Sequence, residues 1–203
     1  IEAVGADAPA AATDPPTVLT RMPRIALYAP WTGGNMDEGW TRWVLEQYGF
    51  APTSVDNDVI RRGALRGRFD VLLLPDQAPR DLLDGYGAET VRPEYRGGIG
   101  ELGMESIAKF VAEGGTLVAL GAASDLAIDR LPIPVRNLKR ALRREQHYAP
   151  GTIVNLQIDP SHPLAQGLAA DTFAFYTNSP FFALIDGFTS FKTTVAARFP
   201  AVN

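Results

Sequence analysis

Short apolar runs alternate along the chain with stretches in which apolar residues recur every three or four positions. "RIALYAP" (24–30) is one such run, closed by Pro30, and "FDVLLLPDQ" (69–77) is another, closed by Pro75. Runs that are apolar without alternation predict parallel strands buried on both faces. Between them Trp40, Trp43, Val44 and Tyr48 fall on one helical face. Asn35 and Glu38 precede that face at the spacing of a capping box, and Gly49 stops it. A short extended stretch is expected near 51–55 and a helix near 58–65. "GELGMESIAKFVAEGG" (100–115) predicts an amphipathic helix with Leu102, Ile107, Phe110 and Val111 inward, ended by Gly114. It feeds the strand "TLVALG", after which "ASDLAIDRL" reads as a further helix. Strands alternating with helices at this spacing predict a three-layer α/β fold around a parallel sheet. Ligands of such sheets lie beyond the carboxyl ends of the strands, here 30–34, 75–78 and 121–125.

Beyond Pro132 the pattern changes. "RNLKRALRREQ" (136–146) reads as a basic amphipathic helix. "GTIVNLQID", "TFAFYTN" and "FKTTVAARF" then read as strands with turns between them, an irregular β-rich part. Residues 1–21 are Ala/Pro-rich and aperiodic, which predicts a linker, and 22–203 is expected to form one domain. The start at Ile1 and the stop just after a strand-like run suggest one domain cut from a longer protein.

Composition narrows the chemistry. The 203 residues include no cysteine, which removes thiol nucleophiles, disulfides and cysteine-ligated metals together. A net charge of −4 argues against nucleic-acid and anionic-membrane partners. Nothing approaches the run of about 18 apolar residues that a membrane span needs. His147 and His162 are the only histidines and stand in no metal-ligand spacing, so no metal site is expected in these residues. "DPSHPLAQGL" instead reads as a turn that positions His162. Gly98-Ile99-Gly100-Glu101-Leu102-Gly103 matches G-x-G-x-x-G, but the preceding strand ends near Asp76 and Glu101 would oppose a phosphate. The match reads as accidental. Arg136, Lys139, Arg140, Arg143 and Arg144 place positive charge along one side of the expected helix, read as a solvated face.

"GGTLVALGAASDLAI" (114–128) has the form of a strand, a sharp turn and a helix, on which hydrolases mount a nucleophile. Laid on G-x-C-x-G, the pattern falls on Gly121, Ala122, Ala123, Ser124 and Asp125, with Ala123 at the nucleophile position. Ser124, the nearby hydroxyl, stands one residue late, with no histidine placed to activate it. The elbow reads as degenerate and no catalytic residue is assigned.

The elbow and the "GGTLVALG" strand resemble the class I glutamine amidotransferase-like (flavodoxin-like) superfamily, including its ThuA-like branch. "YAPWTGGNMDEGWTRWVLEQYGF", "LLLPDQ", "EYRGGIGELG" and "HPLAQGL" resemble more specifically the domain that follows the catalytic domain in bacterial zinc carboxypeptidase-like proteins. The resemblance spans about residues 22–203. It implies a parent metallopeptidase, periplasmic or secreted, whose zinc ligands (two His and a Glu) would lie upstream of Ile1. Zinc is therefore expected only in that absent upstream domain, and no cofactor in this segment. The partners implied are the upstream catalytic domain of the same chain and a peptide or glycan. Trp31, Asn35, Asp37, Asp76, Gln77 and Arg96 form the candidate binding rim above the strand ends, beside the glycine pairs Gly33–Gly34 and Gly97–Gly98. The leading expectation is a non-catalytic accessory domain. The alternatives are a ThuA-like sugar-processing enzyme using Asp37, Glu38 and Asp76, and a structural module without a ligand.

Overall fold

The computed structural model describes residues 21–32, 36–187 and 192–200. Asn35, Gly33, Gly34 and almost all of the expected linker lie outside the described residues. The chain's contacts divide into two compact units. One takes in Met22–Gly151 with Tyr176–Thr193, and the other is built around Thr152–Phe175.

The larger unit is organised by four parallel strands: β1 (Ile25–Tyr28), β2 (Thr53–Val55), β3 (Val71–Leu74) and β4 (Thr116–Ala119), in the spatial order β2-β1-β3-β4. This is the flavodoxin-like order, whose direction reverses between β1 and β3. The helices are α1 (Met36–Gln47), α2 (Asn57–Arg62), α3 (Leu65–Arg68), α4 (Pro79–Leu83), α5 (Gly100–Ala112) and α6 (Ala123–Arg130). Ala26, Tyr28, Leu72 and Leu74 share one face of the sheet with a core that includes Ile60, Leu82, Ile107 and Phe110. The residues of opposite phase, Ile25, Leu27 and Leu73, are buried too. Burial on both faces explains why these strands are continuously apolar. Arg24 and Arg66 converge on the Asp70 carboxylate at 3.0 and 2.9 Å and tie the entry of β1 to that of β3. At the start of α2 the Asp56 side chain accepts from the Val59 N–H at 2.9 Å, the usual N-cap bond.

Three expectations about elements are corrected. The helix expected to carry Trp40, Trp43, Val44 and Tyr48 on one face forms but ends at Gln47, before Tyr48; none of its residues is buried, and all four of those side chains are exposed. Glu38, Thr41, Arg42 and Leu45 turn inward instead. In α5 the buried arc runs through Gly103, Met104, Ile107 and Phe110, leaving Leu102 and Val111 exposed. Gly103 packs so closely that a Cβ would overlap Ile99, which sets the arc on 103, 107 and 110.

The third correction concerns 136–146, which is not an α-helix. Strand β5 (Val135–Asn137) is followed by a 3-10 turn, Leu138–Ala141. The prolines Pro132 and Pro134 favour extended backbone there, and β5 pairs antiparallel with β8 (Phe182–Leu184). The Asn137 side chain accepts from the Lys139 N–H at 3.0 Å and starts the tight turn. Arg140 is held by Asp129 at 2.6 Å and Asp125 at 3.1 Å, so this basic residue is an anchor.

The smaller unit contains most of a three-stranded sheet ordered β7-β6-β9, from β6 (Thr152–Ile158), β7 (Asp171–Tyr176) and β9 (Ala197–Arg198). The strand expected over "FKTTVAARF" is thus reduced, among the described residues, to two positions. His162 caps the 3-10 turn Pro163–Ala165 by accepting from the Leu164 N–H at 3.1 Å, and its other ring nitrogen meets Thr194 Oγ1 at 2.9 Å. Among the described residues no helix is long and apolar enough to cross a membrane.

Candidate functional site

The carboxyl ends of β1 and β3 flank the point where the strand order reverses, and that of β4 follows. Past β1, the Ala29 N–H donates to Val55 O at 2.9 Å and Trp31 emerges onto the rim. Tyr95 meets Trp31 edge-on at 5.9 Å between ring centres, and the Arg61 guanidinium lies 5.2 Å over the Trp31 ring. Arg61 donates from Nε to Gly98 O at 2.8 Å and from a terminal nitrogen to Arg96 O at 3.3 Å. Beneath it, buried Tyr28 donates to Asn57 Oδ1 at 2.8 Å, and Asn57 Nδ2 donates to Gly97 O at 2.9 Å. Burial pushes the Tyr28 phenol well above its ordinary range, against a smaller opposing pull from Arg61.

These links fix the 93–99 loop from below. Gly98 lies against the carbonyls of Leu82 and Leu83, where a Cβ would overlap, and the Ile99 N–H donates to Leu82 O at 2.8 Å. Gly98 is therefore an internal packing position, and the pair Gly97–Gly98 is not an open approach for a partner. The G-x-G-x-x-G stretch serves close packing: Gly98 on α4 and Gly103 on Ile99.

At the end of β4 the turn runs through Gly121 (φ +49°), the residue of this turn in the left-handed region. Ala122 caps α6, and Ala123 is its first residue, fully buried. The Ala123 side chain points into the core, so the exposed tip of this turn is at Gly121 and not at Ala123. The Asp76 carboxylate, carried on the loop after β3, sits over that glycine. A Cβ at Gly121 would overlap it, and it accepts from the Ala122 N–H at 2.7 Å. The tip of the turn and the Ala122 N–H beside it are thus both held by a carboxylate of the same chain. Ser124 turns away and donates to Ala119 O at 3.0 Å. Asp125 accepts from Asn137 Nδ2 at 2.8 Å and pairs with Arg140.

The rim residues divide accordingly. Asp76 meets Gly121 and Ala122, while Trp31 meets Arg61 and Tyr95. Gln77 is nearly buried. Arg96 is exposed and its Nε donates to Val91 O at 3.2 Å, within its own loop. Asp37 is exposed in the first turn of α1. Glu38 accepts from Arg42 at 2.7 Å and from Ser54 Oγ at 2.9 Å. Sequence reasoning missed Tyr28, Asn57, Arg61 and Tyr95. Only the "DNDVIRR" capping pattern could have flagged that α2 begins beside the strand ends.

Two concavities lie elsewhere in this unit. One of about 360 Å³ is lined mostly by apolar side chains, from β4, α6, Val135 and Phe182 among others, with Ser124. The other, about 450 Å³, is lined by Lys139, His147, Tyr148, Thr177 and Asn178 among others. There the Tyr176 hydroxyl donates to Ser179 O at 2.7 Å and meets His147 Nε2 at 3.0 Å. The phenol's single proton is spent on Ser179, so His147 donates from Nε2. Among the described residues no three His, Cys, Asp or Glu side chains gather as a metal site would require.

No family model and no curated protein matches the amino-acid sequence. Solved structures do match in fold. A candidate GMP synthase subunit from Thermoplasma acidophilum is 16% identical with a TM-score of 0.52, over 88% of this chain and 74% of that one. A glutamine amidotransferase from Thermotoga maritima is 9% identical with a TM-score of 0.48, over 80% of this chain and 63% of that one. A ThuA-like protein from Bacteroides uniformis is 12% identical with a TM-score of 0.44, over 80% and 62%. At 16% identity the likeness to the first of these is one of fold. The fold is mixed α/β, flavodoxin-like and glutamine amidotransferase-like, around a four-stranded parallel sheet.

Proposed function

We propose that the chain is a non-catalytic accessory domain of a zinc carboxypeptidase-like protein, periplasmic or secreted, built on an amidotransferase-like scaffold that has given up its nucleophile. The observation that carries the non-catalytic part is the Asp76 carboxylate seated over Gly121 and bonded to the Ala122 N–H. Covalent acyl transfer needs a nucleophile at the tip of the turn and a free donor beside it for the developing oxyanion. Here the tip has no side chain and the donor is occupied. The parent enzyme is suggested by the "PWTGGNMDEGWTRWVLEQYGF" and "HPLAQGL" stretches, with zinc held only by the upstream domain. In that setting the rim around Trp31, Tyr95 and Asp76 faces the catalytic domain or its peptide or glycan substrate.

The sugar-processing alternative draws less support. Of the three carboxylates it would use, Glu38 and Asp76 are both engaged within the chain, which leaves Asp37, exposed in the first turn of α1. Incubating the chain with glutamine and with activated esters tests the proposal, and no turnover is expected. Turnover abolished by Ser124→Ala would overturn it. In the parent protein, deletion of residues 22–203 should leave zinc-dependent release of a C-terminal residue chemically competent and change its KM.

A further inference from the structure

Helix α1 is built the wrong way round for a helix that packs only on its own sheet. Its inward residues include Glu38 and Arg42, which pair with each other at 2.7 Å. Its outward face carries Met36, Trp40, Trp43 and Val44, continued by Tyr48 just past its end, respectively 73%, 64%, 52%, 46% and 78% exposed. Their spacing (i, i+4, i+7, i+8, i+12) is that of a core-facing stripe. Burying one aromatic side chain covers roughly 150–250 Å². Two tryptophans and a tyrosine, each at least half exposed, thus make a patch of several hundred Å². That equals the largest apolar patches found on soluble monomers, which are commonly functional. Trp40 and Trp43 stand edge-to-face at 5.9 Å, a pre-formed aromatic wall. Gly39, one turn before Trp43, has nothing within 4 Å of where its Cβ would be, so a partner backbone can approach closely at that edge of the stripe.

Charge selects the occupant. The helix has four charged residues, Asp37, Glu38, Arg42 and Glu46, and its single cation is spent on Glu38 and, at 3.8 Å, on Glu46. Three acids against one cation leave the helix with a net charge of −2. A second copy of the chain docked on this face would set one net-acidic helix against another. We infer that α1 is the docking face for an amphipathic helix of another protein or domain, one whose apolar stripe is flanked by Lys and Arg. This inference is independent of the peptidase reading.

The test uses the full chain and two synthetic helical peptides sharing one Leu stripe at i, i+3, i+4 and i+7, with Lys flanks in one and Glu flanks in the other. Calorimetric titration should show saturable binding of the Lys-flanked peptide, at least ten-fold tighter than the Glu-flanked one. Val44→Asp should weaken it at least ten-fold without lowering the unfolding midpoint, since the position is exposed. The pair Asp37→Lys with Glu46→Lys should reverse the preference between peptides. Equal binding of both peptides, binding of neither, or indifference to Val44→Asp would overturn the inference. So would sedimentation showing that the chain dimerises through this face.

Discussion

Replacing Gly121 by alanine perturbs the candidate site at its narrowest point, and the size of the effect can be built from two contributions. The first is backbone strain, because φ is +49° at this position and a left-handed L-residue costs about 1–2 kcal/mol. The second is the displaced carboxylate. An alanine Cβ would overlap Asp76, which must leave the Ala122 N–H that it holds at 2.7 Å. A charge-assisted hydrogen bond contributes about 1.5–3 kcal/mol when buried. Asp76 is exposed, and water re-solvates it, so about 1 kcal/mol is the appropriate share. The sum is about 2–3 kcal/mol. For a chain of 203 residues, this corresponds to a midpoint lower by roughly 4–12 °C. Unfolding followed by tryptophan fluorescence reports on the right unit, since Trp31, Trp40 and Trp43 all belong to it. A double-mutant cycle separates the two contributions. Asp76→Ala alone should cost about 1 kcal/mol. Made in that background, Gly121→Ala should cost only its backbone share, so the double variant is about 1 kcal/mol more stable than simple addition gives. An unchanged midpoint for Gly121→Ala, or strict additivity, would refute the placement of Asp76 over the turn.

Two further outcomes follow from buried side chains. Ala123→Leu should destabilise by about 1–3 kcal/mol through overpacking, because Ala123 is fully buried; a urea midpoint equal to the parent's would show that the start of α6 is open. Tyr28→Phe should cost about 1–3 kcal/mol by leaving Asn57 Oδ1 without its donor. The same substitution should alter alkaline behaviour. Burial raises the folded Tyr28 pKa above its ordinary value of 10.0, so the unfolded chain loses the proton first. The stability that depends on the protonated phenol is complete below pH 10 and is lost as pH rises above it. Urea midpoints at successive alkaline pH values should therefore fall less steeply in the Phe variant.

Much of the sheet was legible because its signal is local. "RIALYAP" and "FDVLLLPDQ" could be read as buried strands since every residue of β1 and most of β3 is buried. The faces of helices were less legible. Periodicity gives the stripe Trp40, Trp43, Val44, Tyr48 but not the side on which the sheet lies. In α1 that side was decided by the Glu38–Arg42 pair and its contact with Ser54. The segment 136–146 misled for a related reason. Its spacing is helical, yet pairing with β8 and the anchoring of Arg140 by Asp125 and Asp129 are non-local and outweigh propensity. At the site, the strand–turn–helix was visible, but the residue at the tip of its turn was not. Only the positive φ of Gly121 distinguishes the tip from Ala123. Asp76 was placed on the rim by the end of its strand, whereas Arg61 and Asn57 reach it from α2 across some forty residues of sequence.

The bond from Ser124 to Ala119 O also bears on how the sheet ends. Strand β4 is the last in its row. The Thr116 and Leu120 N–H groups donate inward, to Asp70 and Leu74 of the neighbouring segment. The pleat therefore turns the backbone groups of Leu117 and Ala119 outward. An outward row of this kind is a template on which a second chain can add a strand. Ser124 takes one of its acceptors, and the apolar cavity that it also lines includes Val135 and Phe182 in its wall. The hydroxyl that arrives too late to be a nucleophile is placed to keep the margin of the sheet from recruiting its neighbours.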